Sequence, residues 1–146
     1  MRRTHLVFAA FVLYWVSLLL RWRLDPLPSA VCLVASLFPD LDYYLRGLPL
    51  VEHRKTLHNV WVLSITTYVL HPYGLSVPWL IGYSSHLLLD SLTRSGVDVL
   101  LLGRRVKGPF KTGGLADRLL FYFIIAFFAA VALGLFPPLQ TLSRWS

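Results

Sequence analysis

Long uncharged stretches alternate with short basic ones along this chain. The uncharged runs extend from Leu6 to Leu20, Pro26 to Pro39, Thr56 to Leu89 (interrupted only by histidines), and Leu119 to Ser143. A helix needs roughly 20 apolar residues to cross a bilayer, so the third run is too long for one span. His71, Pro72, Gly74 and Pro78 interrupt it near its middle, because proline lacks the amide donor and glycine loosens the helical ladder. The pattern therefore predicts five helices, near residues 5–22, 27–45, 57–70, 77–93 and 116–136. Arg2 and Arg3 before an apolar run look like the start of a signal peptide. Arg21-Trp22-Arg23 follows that run with no small-residue cleavage site, so the segment is read as a helix of the protein. The only long polar connection is Arg94 to Asp117, and residues 1–146 read as one domain without repeats.

Composition agrees with the pattern. Of the 146 residues, 56% are hydrophobic and 14% charged, which predicts an all-α, polytopic membrane bundle of about five helices. Once the helices alternate in direction, Arg2, Arg3, Arg46, Arg54, Lys55, Arg94, Arg104, Arg105, Lys107, Lys111 and Arg118 fall on the side of the N-terminus. Only Arg21, Arg23 and Arg144 fall on the other. Basic loops are retained in the cytoplasm during insertion. The expected location is the cell (inner) membrane, with the N-terminus cytoplasmic and the C-terminus opposite. The formal charge of +7 needs no nucleic acid to explain it, and none is expected as a partner, because no helix reads as a soluble recognition element. The basic rim would instead attract anionic lipid headgroups, at about 1 kcal/mol per nearby basic residue.

The same alternation sorts the polar residues. His5 opens the first predicted helix, Asp40 and Asp42 close the second, His53 and His58 introduce the third, and His86 and Asp90 lie near the end of the fourth. All seven share the cytoplasmic end, where ionisable groups near the hydrocarbon are costly unless paired or coordinated. His71 falls in the opposite loop and is excluded. His86 and Asp90, four apart, project from one helix face and suit two ligands of one metal; a satisfied histidine beside a helix-end acid is the alternative. Asp40 and Asp42 would diverge in a regular helix and can converge where a helix unwinds. His53 and His58 diverge on a helix, which puts His53 in the loop. Arg54 offers a planar fork of donors for phosphate or serves as a basic membrane-flanking residue. Ser84 and Ser85 suit close helix packing or support of the ligands.

Taken in order, these residues resemble a known family. Thr4-His5, Phe38-Pro39-Asp40-Leu41-Asp42, His53-Arg54 with His58, and the run from Gly82 through Ser85-His86 and Asp90 to Gly96 are similar to the membrane-bound metal-dependent hydrolases, also called LexA-binding, inner-membrane-associated hydrolases. Arg104 to Lys107 and Lys111-Thr112-Gly113-Gly114 through Asp117 look like that family's later basic and threonine-glycine segment. The chain departs from the pattern at Leu57 and Asn59, where threonine and serine are usual, and at Asp117, where glutamate is. The family is distantly similar to zinc-dependent phospholipases C and single-strand nucleases, which points to phosphoester chemistry.

The resemblance implies hydrolysis at a site with one or more divalent metals. Mixed imidazole and carboxylate ligands suit zinc, with manganese or iron as other candidates. Asp40, Asp42, His58, His86 and Asp90 are the expected main ligands, and His5 and His53 complete the set. Arg54 would steady a phosphate, and Asp40 or Asp42 could serve instead as a base. A lipid or other amphiphilic phosphoester is the expected substrate, because the site would open at headgroup level. The main competing expectation is a non-enzymatic membrane protein with a structural or transported divalent metal. A metal-free phosphatase using His86 and Asp90 lacks its phosphate motifs here, and a metalloprotease lacks His-Glu-x-x-His.

Three further features complete the picture. Cys32, alone in the chain, reads as a small packing residue. Trp22, Trp79 and Trp145 are expected as aromatic anchors at the interface away from the site. The Arg94 to Asp117 loop, in which residues 97–102 suggest a short strand or interfacial segment, could cover the site as a lid or bind headgroups.

Overall fold

The computed structural model describes residues 2–45, 47, 56–100 and 103–136. They form α1 (Arg2–Leu19), α2 (Pro26–Ala35), α3 (Leu41–Leu45), α4 (Val60–Leu70), α5 (Ser76–Ser91) and α6 (Leu115–Ala132). The fold is all-helical, and among the described residues extended pairing is confined to two isolated bridges.

Local chemistry sets the helix ends. Asp25 holds an extended backbone conformation before Pro26, whose ring presets the first helical turn and whose missing amide would have had no partner there. Asn59 caps α4 by accepting the amide of Val62 at 3.0 Å. The break inside the long third run lies where His71, Pro72 and Gly74 predict it. His71–Tyr73 is a 3-10 turn, and Gly74 ends it at φ 69°, a conformation glycine adopts without strain.

The second predicted helix, 27–45, is corrected to three pieces. α2 stops at Ala35, Phe38–Asp40 forms a 3-10 turn, and α3 restarts at Leu41. Pro39 is the physical reason, since it donates no amide to the ladder and disfavours helical geometry in the residue before it.

α5 is the central helix, packed against α1, α2 and α4, while α6 lies chiefly on α1. Its approach to α2 depends on Gly82, where an added Cβ would stand 2.0 Å from the carbonyl oxygen of Cys32. Cys32 is buried with Ala9 and Leu13, and Ala35 with Leu63, Trp79, Tyr83, Leu87 and Val97. Cys32 is thus a packing residue, as expected. Trp79 is not an interfacial anchor: it is buried, donates to Thr66 Oγ1 at 2.8 Å and packs edge-on to Phe38. α6 is fastened to α1 by Phe127, whose ring meets Phe11 at 5.1 Å and Tyr14 at 5.3 Å.

Of the helices described, α6 alone is long and apolar enough to cross a membrane. α2, α4 and α5 span 10, 11 and 16 residues, shorter than the predicted elements because polar and proline-containing segments interrupt them. Residues after α5 fold back on the bundle: Thr93 pairs with Phe110 and Val97 with Val106, and the amide of Val60 donates to Val99 at 2.9 Å.

Candidate metal centre

Four stretches of chain deliver polar side chains to one end of the bundle. His5 comes from the first turn of α1, Asp40 from the turn at Pro39, Asp42 from the start of α3, His58 from the turn before α4, and His86 and Asp90 from the end of α5. His5, Asp42, His58, His86 and Asp90 are buried, and the Asp40 side chain is 20% exposed. Charged groups so enclosed persist only when paired or coordinated.

The hydrogen bonds orient both central imidazoles. His86 Nδ1 lies 2.7 Å from the carbonyl oxygen of Ser36, which can only accept, so Nδ1 carries the proton and Nε2 presents a lone pair. His58 Nδ1 lies 2.8 Å from Asp42 Oδ2 and donates to that carboxylate. The two Nε2 atoms then face each other at 3.1 Å. Two lone pairs repel at that distance unless a proton or a cation lies between them.

Carboxylates surround this meeting point. Asp90 Oδ2 is 3.4 Å from His58 Nε2 and 3.8 Å from His86 Nε2, and Asp40 Oδ1 is 4.0 Å from His86 Nε2. His5 stacks on His86 with ring centroids 4.0 Å apart, and its Nε2 is 3.5 Å from Asp90 Oδ1. His5 Nδ1 is buried with no hydrogen-bond partner among the described residues. Two overlapping sets, His5 with His86 and Asp90, and Asp40 with His58 and His86, bring their donor atoms within 4.8 Å of one another. Tetrahedral zinc at its usual bond lengths places ligand atoms roughly 3.3 Å apart. The separations here bracket that value, so the residues fit a divalent cation.

The neighbouring carboxylates also favour a proton on His58. Burial disfavours the charged form of His58, but hydrogen bonds and charge from Asp42 and Asp90 outweigh it, and its pKa is raised above the ordinary 6.5.

The structure brings together six of the seven residues expected as ligands: His5, Asp40, Asp42, His58, His86 and Asp90. Within that group Asp42 directs Oδ2 at the far nitrogen of His58, the arrangement by which carboxylates hold ligating imidazoles in place. Asp40 and Asp42 thus reach the same pair of imidazoles at different atoms, Asp40 at His86 Nε2 and Asp42 at His58 Nδ1. His53 and Arg54 lie outside the described residues. His71 sits exposed in the turn between α4 and α5, away from the cluster. Ser85 donates to Gly82 within its own helix, 2.7 Å away.

Several supporting groups escape a reading of residue types. The Ser36 carbonyl that orients His86 is backbone, and no sequence signal marks it. Tyr83 Oη donates to the Leu57 carbonyl beside His58. Asn59, a departure from the family pattern, fixes the His58 turn from both sides: Oδ1 caps α4 and Nδ2 donates to Thr56 O at 2.8 Å. A polar residue directly before an apolar helix is the signal that would have found that cap. Arg2 Nε stands 3.7 Å from Asp40 Oδ2, and its side chain donates to Tyr44 Oη and covers that ring.

Comparisons with known proteins bear on the membrane assignment. Neither the curated proteins nor the solved structures yield a match. A family described as YdjM inner membrane protein matches residues 1–134, which supports the expectation of an inner-membrane family. Covering most of the sequence, that match shows that the chain belongs to the YdjM inner membrane protein family.

Proposed function

We propose that this protein is a polytopic inner-membrane hydrolase that uses a divalent metal, zinc in the first instance, to cleave a phosphoester of a lipid or other amphiphile at the cytoplasmic surface. The observation that carries the reading is the 3.1 Å approach of His58 Nε2 to His86 Nε2, with Asp90 Oδ2 near both. When bound, such a metal supplies Lewis acidity that makes hydroxide available near neutral pH and offsets charge on a phosphoester. His58, His86, Asp90 and His5 are the residues that would hold it. Asp42 keeps His58 in the required tautomer, and the Ser36 carbonyl does the same for His86. Asp40, partly exposed at the edge of the cluster, is left as the general base or as an additional ligand.

The membrane reading draws support from the bundle itself. α1 and α4 run away from the cluster end, while α2 and α5 run towards it. Apolar side chains face outward on α4 at Trp61, Ile65, Tyr68 and Val69, and on α6 at Leu119, Tyr122 and Phe123, surfaces that a bilayer covers. The excess of lysine and arginine at the cluster end favours that end as cytoplasmic.

A structural cation is the second reading, favoured by the way the cluster ties α1, α3, the His58 turn and α5 together. Turnover separates the two. Purified protein in detergent or nanodiscs should hydrolyse an amphiphilic phosphodiester, lose that activity to a chelator and regain it with zinc. Bound metal without turnover on any phosphoester amphiphile would leave the structural cation.

A further inference from the structure

The metal cluster accounts for one face of the α1 start, and a second feature lies on another. A cavity of about 500 Å³ opens between the first turns of α1 and α6. Arg2, Arg3 and Arg118 line it against one carboxylate, Asp117, so the charge is decidedly positive. Phe121 and Tyr122 form its wall along α6, the helix apolar enough to lie in hydrocarbon. Guanidinium groups match phosphate oxygens with a planar fork of donors and desolvate more readily than ammonium groups. A basic pocket that grades into an aromatic, membrane-facing wall suits a ligand with a phosphate at one end and hydrocarbon at the other.

Arg2 joins the cavity to the cluster. It lines the cavity while its Nε reaches to within 3.7 Å of Asp40 Oδ2, and the other oxygen of Asp40 is 4.0 Å from His86 Nε2. One carboxylate therefore separates the basic pocket from the imidazoles.

We propose that this cavity binds the phosphate of an anionic membrane lipid, gripped by Arg3 and Arg118, with Arg2 bridging it to the edge of the metal cluster. Binding stands on the cavity and its arginines alone. That the bound lipid is also the substrate rests on the hydrolase reading above.

Native mass spectrometry of the full chain released from detergent tests this, with phosphatidylglycerol, phosphatidylcholine or inorganic phosphate as the added probe and metal content read on the same samples. Wild type should retain one phosphatidylglycerol in preference to phosphatidylcholine, and inorganic phosphate should not displace it. Arg3→Gln with Arg118→Gln should weaken retention roughly thirtyfold, or about 2 kcal/mol for two basic contacts, while metal content stays as in wild type. Equal retention of both lipids overturns the proposal, as does equal retention by wild type and the double variant, or binding of inorganic phosphate without lipid. Lipid retention that needs the arginines in a protein without metal upholds the lipid site and sinks only the hydrolase reading.

Discussion

His58 and His86 meet nitrogen to nitrogen at 3.1 Å, each held from behind by an acceptor, Asp42 for one and the Ser36 carbonyl for the other. Since each imidazole spends its proton on that acceptor, the space between them needs a positive species. A proton would serve, and so would the divalent metal proposed above, with Asp90 as a further ligand. The consequences are separable by mutation.

Asp42 acts through His58. Asp42→Asn preserves shape but weakens the acceptor that fixes the imidazole tautomer, and changes of this kind typically reduce metal affinity 10- to 100-fold, as an order of magnitude. Competition titration with a zinc indicator should show that loss in a protein that remains folded. It should also show a lower His58 pKa by NMR, because the charge and hydrogen bond of Asp42 help hold that pKa up.

Asn59 links helix capping to the site. Asn59→Ala removes the cap on Val62 and the bond to Thr56, at a cost of about 1 kcal/mol for the cap. Thermal unfolding should register the loss, and zinc affinity should fall as well, because the turn carrying His58 is no longer held from both sides. A variant with lower stability and unchanged zinc affinity would show that the cap does not position the ligand.

The proposed metal would compete with protons for His58. Its raised pKa means that, in metal-free protein, protonation contributes stability fully below the unfolded value of about 6.5 and loses it as pH rises through the folded value. Metal binding requires the deprotonated Nε2, so zinc-induced stabilisation should grow with pH across the same window. Melting temperatures with zinc and with chelator, measured through that window, should diverge as pH rises. Parallel curves would show that His58 does not take part in binding.

Gly82 tests the packing that brings α5 to α2. A Cβ there meets the Cys32 carbonyl at 2.0 Å, backbone that cannot move aside cheaply, so Gly82→Ala should cost about 1–3 kcal/mol, the usual range for overpacking. Denaturant unfolding in detergent would measure it. Because the α2 end supplies the Ser36 carbonyl to His86, zinc affinity should drop in parallel.

The ordered polar residues made most of the cluster legible, because helix alternation alone sends His5, Asp40, His58, His86 and Asp90 to one end. Spacing of four placed His86 and Asp90 on one face. The role of Asp42 is not legible in the sequence, since which oxygen faces which nitrogen depends on the 3-10 turn at Pro39, where the hydrophobic pattern predicts an unbroken helix. Trp79, near a helix end, looks interfacial in the sequence, and only its packing against Phe38 and Tyr83 reveals it as a core residue. The Arg2 contact to Asp40 and the cavity beside Arg118 join residues distant along the chain, and no local pattern signals such pairings.

Elemental analysis of the purified protein, wild type beside His86→Ala, asks whether the buried cluster holds a metal. Wild type should carry at least stoichiometric zinc or a comparable divalent metal and the variant should lose it, with both proteins folded and membrane-inserted. Folded wild type that stays metal-free when purified and dialysed against zinc, or a variant that keeps the full complement, would contradict the proposed metal site.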